Sequence, residues 1–154
     1  MIRIVAVGQR IAEWADTACR DYLGRFPRDF EVELKEIRTE ARNGRTPAQL
    51  MRAEAEHILE KIADDDLVVV LDEHGVDWTT MDLAKSVARW RSERRDVVFV
   101  IGGPDGLAPE VKARADVTLR LSAMTLPHAF ARVLLAEQLY RAWSILARHP
   151  YHRA

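Results

Sequence analysis

The fold is decided by Val97-Val98-Phe99-Val100-Ile101, which runs straight into Gly102-Gly103-Pro104-Asp105-Gly106-Leu107. Five consecutive apolar residues are typical of a central parallel strand that is covered on both faces. Residues 67–71 are also entirely apolar. The two segments predict a parallel sheet whose central strands are buried between layers of helices.

Strands and helices alternate along the whole chain. The predicted strands are 2–7, 30–37, 67–71, 97–101 and 117–121. The predicted helices are 11–24, 47–63 behind Thr46, a helix capped by Thr79 or Thr80 that runs to about 94, a short helix from Pro109, and a last helix from near Pro127 to before Pro150. Strand 30–37 alternates like a half-exposed edge strand, and 38–45 is predicted as a mobile loop. The pattern predicts one α/β domain, 1–154, in three layers with a mostly parallel sheet.

Composition narrows the class of protein. The chain has 154 residues, 48% of them hydrophobic, and no apolar run near the ~20 residues that a membrane span needs. Met1 leads directly into a strand without the layout of a signal peptide, so we expect a cytoplasmic protein with no membrane partner. Cys19 is the single cysteine, and its helical spacing predicts a buried, inert thiol.

Charge is unevenly distributed, although the net charge is only −1. Residues 47–101 hold 7 Lys or Arg against 12 Asp or Glu, whereas residues 120–154 hold five Arg against the single Glu137. Such asymmetry can create a positive surface for an anionic partner. An ordinary solvated helix face explains the same charges, and charge alone does not decide between them.

Three loops follow strand ends and should meet at the carboxyl edge of the sheet, where ligands bind in open α/β folds. They are residues 72–77, 102–107 and 122–127. The glycines of the second loop suit either a tight turn or the close approach of a flat ligand. Backbone amides in the third could bind a purine edge. Adjacent Asp72, Glu73 and His74 point in different directions, so no metal site is predicted.

The last predicted helix is apolar nearly all round. Its large apolar residues are Phe130, Val133, Leu134, Leu135, Leu139, Tyr140, Trp143, Ile145 and Leu146. A surface helix normally keeps one polar face. The helix is therefore either sandwiched in the core or in contact with another subunit, and we expect a homodimer.

These segments resemble the family of ribosomal RNA large subunit methyltransferase H, of the SPOUT class. The motifs that carry the resemblance are 101–107, Leu121-Ser122-Ala123-Met124-Thr125-Leu126-Pro127-His128, and an ending in Leu139-Tyr140-Arg141-Ala142-Trp143-Ser144 and His149-Pro150-Tyr151-His152-Arg153. Residues 5–8 and 22–27 match as well. The resemblance implies a C-terminal trefoil knot, which general chain-topology rules would not suggest, and a dimer.

The resemblance also implies an activity. It is methyl transfer from S-adenosylmethionine to N3 of a pseudouridine in a stem-loop of large-subunit rRNA, and we expect the assembled ribosome to be the substrate. The implied cofactor site comprises Leu71, Gly102, Leu121, Ser122, Ala123, Met124, Thr125 and Leu126. Neutral adenosine needs neither a metal nor a phosphate-binding lysine.

Candidate catalytic residues are His128, Arg132 and His152. The histidines could take the N3 proton, and Arg132 could hold a developing negative charge. His128 could instead be a helix-start residue satisfied by the backbone. The tail, residues 149–153, could instead be a frayed terminus. The residues expected to contact RNA are Arg132, Arg141, Arg148, Tyr151, His152 and Arg153. We expect the tail to reach the partner subunit's cofactor pocket.

Two other classes of protein remain open. A dinucleotide oxidoreductase would need its glycine loop after the first strand, and Gly8-Gln9-Arg10 does not supply one. A non-catalytic ribosome-binding factor could keep the same fold.

Overall fold

The computed structural model describes residues 1–39 and 41–153, so Glu40 in the predicted loop 38–45 and Ala154 at the end of the tail lie outside the described residues. The strands are β1 (Ile2–Val7), β2 (Val32–Ile37), β3 (Leu67–Asp77), β4 (Val97–Ile101) and β5 (Val117–Arg120). The helices are α1 (Glu13–Leu23), α2 (Pro47–Leu59), α3 (Thr80–Ser92), α4 (Pro109–Arg114) and α5 (His128–Leu146).

The five described strands form one sheet in the order β2-β1-β4-β3-β5, and every pairing is parallel. Strand β4 is the centre, with Phe99 facing Ile4 of β1 on one side and Val69 of β3 on the other. All five of its residues are buried. The predicted α/β class and the central position of this strand are confirmed.

Alternate residues of the central strands face two separate apolar cores. On one face Val97, Phe99 and Ile101 pack with apolar residues of α3 and α5. On the other face Val98 and Val100 pack with apolar residues of α2 and the segment around α4. A strand buried on both faces gains nothing from polar alternation, which explains the continuous apolar sequence.

Helix starts follow the sequence signals. Thr46 accepts from the amide of Gln49 while the Gln49 side chain accepts from Thr46, and Thr79 makes the same reciprocal pair with Asp82. These capping boxes satisfy amides that have no partner inside the helix. Strand β2 lies at the sheet edge and is mostly half-exposed, as its alternation predicts.

The prediction for residues 72–77 is wrong. Instead of a loop, these residues extend β3, which shifts register after Leu71 and pairs again with β5 from Val76. Gly75 makes this possible, because a Cβ there would come within 2.7 Å of the backbone of Thr118 and Leu119. Residues 72–77 are mostly polar and contain Gly75, so their hydrophobic periodicity does not predict a strand.

Candidate active site

The carboxyl ends of β3, β4 and β5 surround an open cavity of about 670 Å³. This is within the usual volume of small-molecule sites. Of the residues predicted to hold a cofactor, those that line it are Leu71, Gly102, Leu121, Ser122, Met124, Thr125 and Leu126. Ala123 is exposed and does not line the cavity. Segments far apart in the sequence thus meet here because parallel strands end at one edge.

The loop that contains Gly102 leaves no room for a side chain at this position. A Cβ at this position would lie 2.9 Å from Cγ of Leu107 and 3.0 Å from the Gly106 carbonyl group. Gly106 has φ +85° and its amide bonds the Gly103 carbonyl, which closes a tight turn. Of the two explanations for the glycines of this loop, the tight turn accounts for Gly102, because the turn itself excludes a side chain there.

The loop 121–126 offers backbone donors to the cavity. The Met124 amide is taken up by Oγ of Ser122 at 2.9 Å. Within residues 1–39 and 41–153 the amides of Ser122, Thr125 and Leu126 donate to no protein acceptor. Free amides beside apolar Leu71 and Leu126 suit a flat, neutral heterocycle that offers acceptor nitrogens.

His128 begins α5 at the wall of the cavity. Its Nδ1 bonds the Gly102 carbonyl at 2.8 Å, and its Nε2 lies 3.0 Å from Nη2 of Arg132. A guanidinium can only donate and a carbonyl can only accept, so Nδ1 carries the proton and Nε2 accepts. Burial lowers the pKa of His128, and the charge of Arg132 lowers it further. The ring is neutral, and its lone pair is already used.

Arg132 is buried, with 1% of its surface exposed. Its guanidinium pairs with Glu36 at 2.7 Å and donates to the Gly8 carbonyl at 2.9 Å as well as to His128. In this arrangement Arg132 offers almost no surface to a phosphate, so the structure gives no support to the prediction that it contacts RNA. Nε2 of His128, which accepts from Arg132, is likewise not available here to take a proton from a substrate.

Asp72, to which the sequence assigned no role, forms an acidic part of the cavity wall. Asp72 accepts from the backbone amide of His74 at 2.8 Å and pairs with Lys112 of α4 at 3.2 Å. The His74 amide, above all, and Lys112 hold the pKa of Asp72 below its ordinary value. Among the described residues no group of three or more His, Cys, Asp or Glu side chains could hold a metal ion. Only the contact with Lys112, 40 positions away, could have revealed this part of the wall.

The tail folds back on its own chain. The Tyr151 hydroxyl donates to Glu137 of α5 at 3.0 Å and lies 3.0 Å from the hydroxyl of Tyr22. Burial, Tyr22 and Glu137 all raise the pKa of Tyr151. His152 accepts through Nδ1 from Arg141 at 3.3 Å. The tail is anchored and not frayed.

The tail packs along the second half of α5 and does not line the cavity of its own chain. The bond between Tyr151 and Glu137 places Tyr151 beside the middle of this 19-residue helix, nine residues and about 14 Å along the axis from His128 at ~1.5 Å per residue. Arg148 and Arg153 are exposed there, whereas Arg141 is half-buried and pairs with Glu137 at 2.7 Å. Within one chain, the predicted RNA-contacting tail and the predicted cofactor site do not meet.

An exposed apolar patch runs along α1 and α5. It consists of Trp14, Phe130 and Leu134, and the rings of Trp14 and Phe130 lie 4.8 Å apart. Half of the Trp14 surface, 51%, is exposed. The buried residues of α5, such as Leu135 and Leu139, face the sheet. The helix therefore has both a core face and an apolar outer face. Among the described residues, no helix is long and apolar enough to cross a membrane.

The sequence matches a family model and curated relatives over nearly its full length. The sequence model of the family described as "Predicted SPOUT methyltransferase" matches residues 1–152. Proteins named ribosomal RNA large subunit methyltransferase H are 56% identical over 99% of this chain and 98% of the relative in Methylibium petroleiphilum, and 53% over 98% and 97% in Bordetella petrii.

Two solved structures share the fold. A probable methylase family protein from Haemophilus influenzae superposes with a TM-score of 0.59 at 17% identity, over 99% of this chain and 70% of that one. A protein from Legionella pneumophila, described as a methyltransferase and solved with its bound cofactor SAM, gives 0.51 at 13%, over 92% and 66%. At these identities the likeness concerns the fold alone.

Proposed function

The chain belongs to the SPOUT methyltransferases and, within them, to the family of ribosomal RNA large subunit methyltransferase H. From that premise we propose that it methylates N3 of a pseudouridine in large-subunit rRNA, with S-adenosylmethionine as methyl donor. The observation that carries the proposal is the cavity at the ends of β3, β4 and β5, because the two loops that match the family's motifs form its walls. With this substrate the protein would act in the cytoplasm.

The residues of the cavity fit S-adenosylmethionine. Leu71, Leu121 and Leu126 supply apolar surface for adenine, and the free amides of Ser122, Thr125 and Leu126 can donate to its nitrogens. The ionised carboxylate of Asp72 lies in the same wall and favours a ligand that carries positive charge. Ala123 shapes the loop without lining the cavity.

When bound, S-adenosylmethionine supplies a methyl group activated by a positively charged sulfur. The chain's own task is orientation, which can lower such a barrier by up to ~7–11 kcal/mol. A second task is to accept the N3 proton or to stabilise the anion that it leaves. Within one chain each candidate histidine accepts from an arginine, His128 from Arg132 at 3.0 Å and His152 from Arg141 at 3.3 Å. We assign this task to His152 of the tail, whose contact is the longer, and keep His128 as part of the pocket wall.

The tail serves the partner's pocket in this proposal. Its residues do not line the cavity of their own chain. A homodimer that buries Trp14, Phe130 and Leu134 would cover the exposed patch and bring two chains together along α5. Arg148, Tyr151 and Arg153 would then lie beside a cofactor and contact rRNA phosphates. The C-terminal trefoil knot stays a prediction from family membership.

Methyl transfer to ribosomes tests the proposal. Ribosomes from a strain that lacks this protein should accept tritiated methyl groups from S-adenosylmethionine, and pseudouridine-deficient ribosomes should not. Deletion of residues 151–154 should abolish transfer while cofactor affinity, measured by calorimetry, stays nearly unchanged. Equal loss of both, or loss of neither, would contradict the role of the tail. Binding to ribosomes without heat of cofactor binding would indicate a non-catalytic factor instead.

A further inference from the structure

A chain of hydrogen bonds crosses beneath the cavity from the edge of the sheet to the cofactor loop. Glu36 of β2 pairs with Nη1 of Arg132 at 2.7 Å. Nη2 of Arg132 donates to the Gly8 carbonyl at 2.9 Å and to His128 at 3.0 Å. His128 then donates to the Gly102 carbonyl at 2.8 Å. This series of hydrogen bonds joins the ends of β1, β2 and β4 to the start of α5.

The ion pair with Glu36 matters more for the stability of buried Arg132 than for that of the more exposed Glu36. The side chain of Arg132 is 1% exposed, whereas the side chain of Glu36 is 28% exposed. A guanidinium removed from water is stable only beside a counter-charge, and within the described part of the chain Glu36 is the only carboxylate paired with it. The Nε of Arg132 has no partner among these residues, so its other two nitrogens determine its orientation.

The orientation of Arg132 determines which nitrogen of His128 carries the proton. With Nη2 of Arg132 pointing at Nε2, only the tautomer protonated at Nδ1 avoids two opposed N–H groups. That proton is the one donated to the Gly102 carbonyl. Gly102 lines the cavity, and its position is also constrained on the other side by Leu107.

We propose that Glu36 is a positioning residue for the cofactor pocket, acting through Arg132 to hold His128 in the single tautomer that fixes the carbonyl of Gly102. Glu36 touches no cavity surface itself. Its effect on a ligand is therefore indirect and falls on affinity for the cofactor. The expected effect on cofactor affinity rests on the proposed function. The expected effect on the tautomer of His128 depends only on the fold.

The substitution Glu36→Gln tests the proposal, because it keeps a polar acceptor and removes the charge. We expect the 15N shifts of His128 to change from one tautomer to a mixture. The dissociation constant for S-adenosylmethionine should rise roughly tenfold, with kcat at saturating cofactor nearly unchanged. Arg132→Lys keeps the charge without the forked donors and should show the same tautomer mixture.

Glu33→Gln is the matched control. Glu33 lies on the same strand, is 34% exposed and pairs with Arg3 at 3.0 Å, away from the cavity. It should leave the His128 shifts and cofactor affinity as in the wild type. If Glu36→Gln behaves like this control in either readout, the positioning role is overturned. If the wild-type protein binds no S-adenosylmethionine, the proposed function fails, and the 15N shifts still decide whether Glu36 sets the tautomer.

Discussion

Nη2 of Arg132 donates a hydrogen bond to Nε2 of His128 at 3.0 Å, one helical turn apart on α5. The contact turns a histidine that the sequence presents as a proton acceptor into one whose lone pair is occupied. It also explains why an arginine with 1% exposure lies under a ligand cavity. A buried cation there stabilises the arrangement of the pocket wall and offers almost no surface to RNA.

The state of His128 should make stability depend on pH. The lowered pKa in the folded protein means that the unfolded chain, with an ordinary value of 6.5, binds the proton more readily. The stabilising contribution is therefore complete above pH 6.5 and is lost as pH falls towards the folded-state pKa. Measured by urea unfolding, the unfolding free energy of the wild type should fall more steeply below pH 6.5 than that of the His128→Gln variant. Parallel curves would contradict this.

Gly102→Ala should destabilise the cofactor loop. Its new Cβ would meet Leu107 at 2.9 Å and the Gly106 carbonyl group at 3.0 Å. Backbone cannot yield as a flexible side chain does, so we expect a cost of about 1–3 kcal/mol in unfolding free energy. Calorimetry should show weaker cofactor binding. The double variant with Leu107→Ala should recover little, because the clash with Gly106 remains.

Removing the Tyr151 hydroxyl should loosen the tail. Tyr151→Phe loses the bonds to Glu137 and Tyr22, worth about 1–2 kcal/mol together. Hydrogen exchange should show faster exchange of the tail amides. Tyr140→Phe is the control, since its hydroxyl forms no hydrogen bond with the described residues and its ring packs 4.8 Å from that of Tyr151. Equal exchange in both variants would mean that ring packing alone holds the tail.

The apolar patch should govern assembly. Phe130→Arg introduces a charge into the surface formed with Trp14 and Leu134, and we expect the dimer dissociation constant to rise roughly 30-fold or more. Sedimentation velocity over a concentration series measures it. Val76→Arg changes an equally exposed apolar residue on β3, 54% against 48%, and should leave assembly unchanged. A wild-type chain that sediments as a monomer at every concentration would overturn the dimer.

Cys19 should be unreactive until the protein unfolds. The residue is 1% exposed, and burial raises the pKa of its thiol, so little thiolate forms at neutral pH. A thiol reagent such as Ellman's should label the native protein slowly and the urea-unfolded protein at once. Rapid labelling without denaturant would show that α1 opens readily.

The sequence by itself determined most of the local structure and the buried faces of the elements, although residues 72–77 were predicted as a loop and extend β3. Continuous apolar residues in β4 predicted burial on both sides, and Thr46 and Thr79 predicted helix starts, because these signals act over one strand or one helical turn. The alternation of strands and helices also placed the loops 102–107 and 122–127 at one sheet edge. Family resemblance then identified them as one site.

Only the tertiary structure decided the partners of the polar groups. Glu36 and Arg132 are 96 residues apart and meet because β2 and β1 lie side by side beneath the start of α5. The same holds for Asp72 with Lys112 and for the tail against Tyr22. Periodicity encodes which face of an element is buried, but the partner of a buried charge depends on strand order and helix packing. For that reason the sequence predicted the place of the cavity, and the fold determined the state of the histidine in its wall.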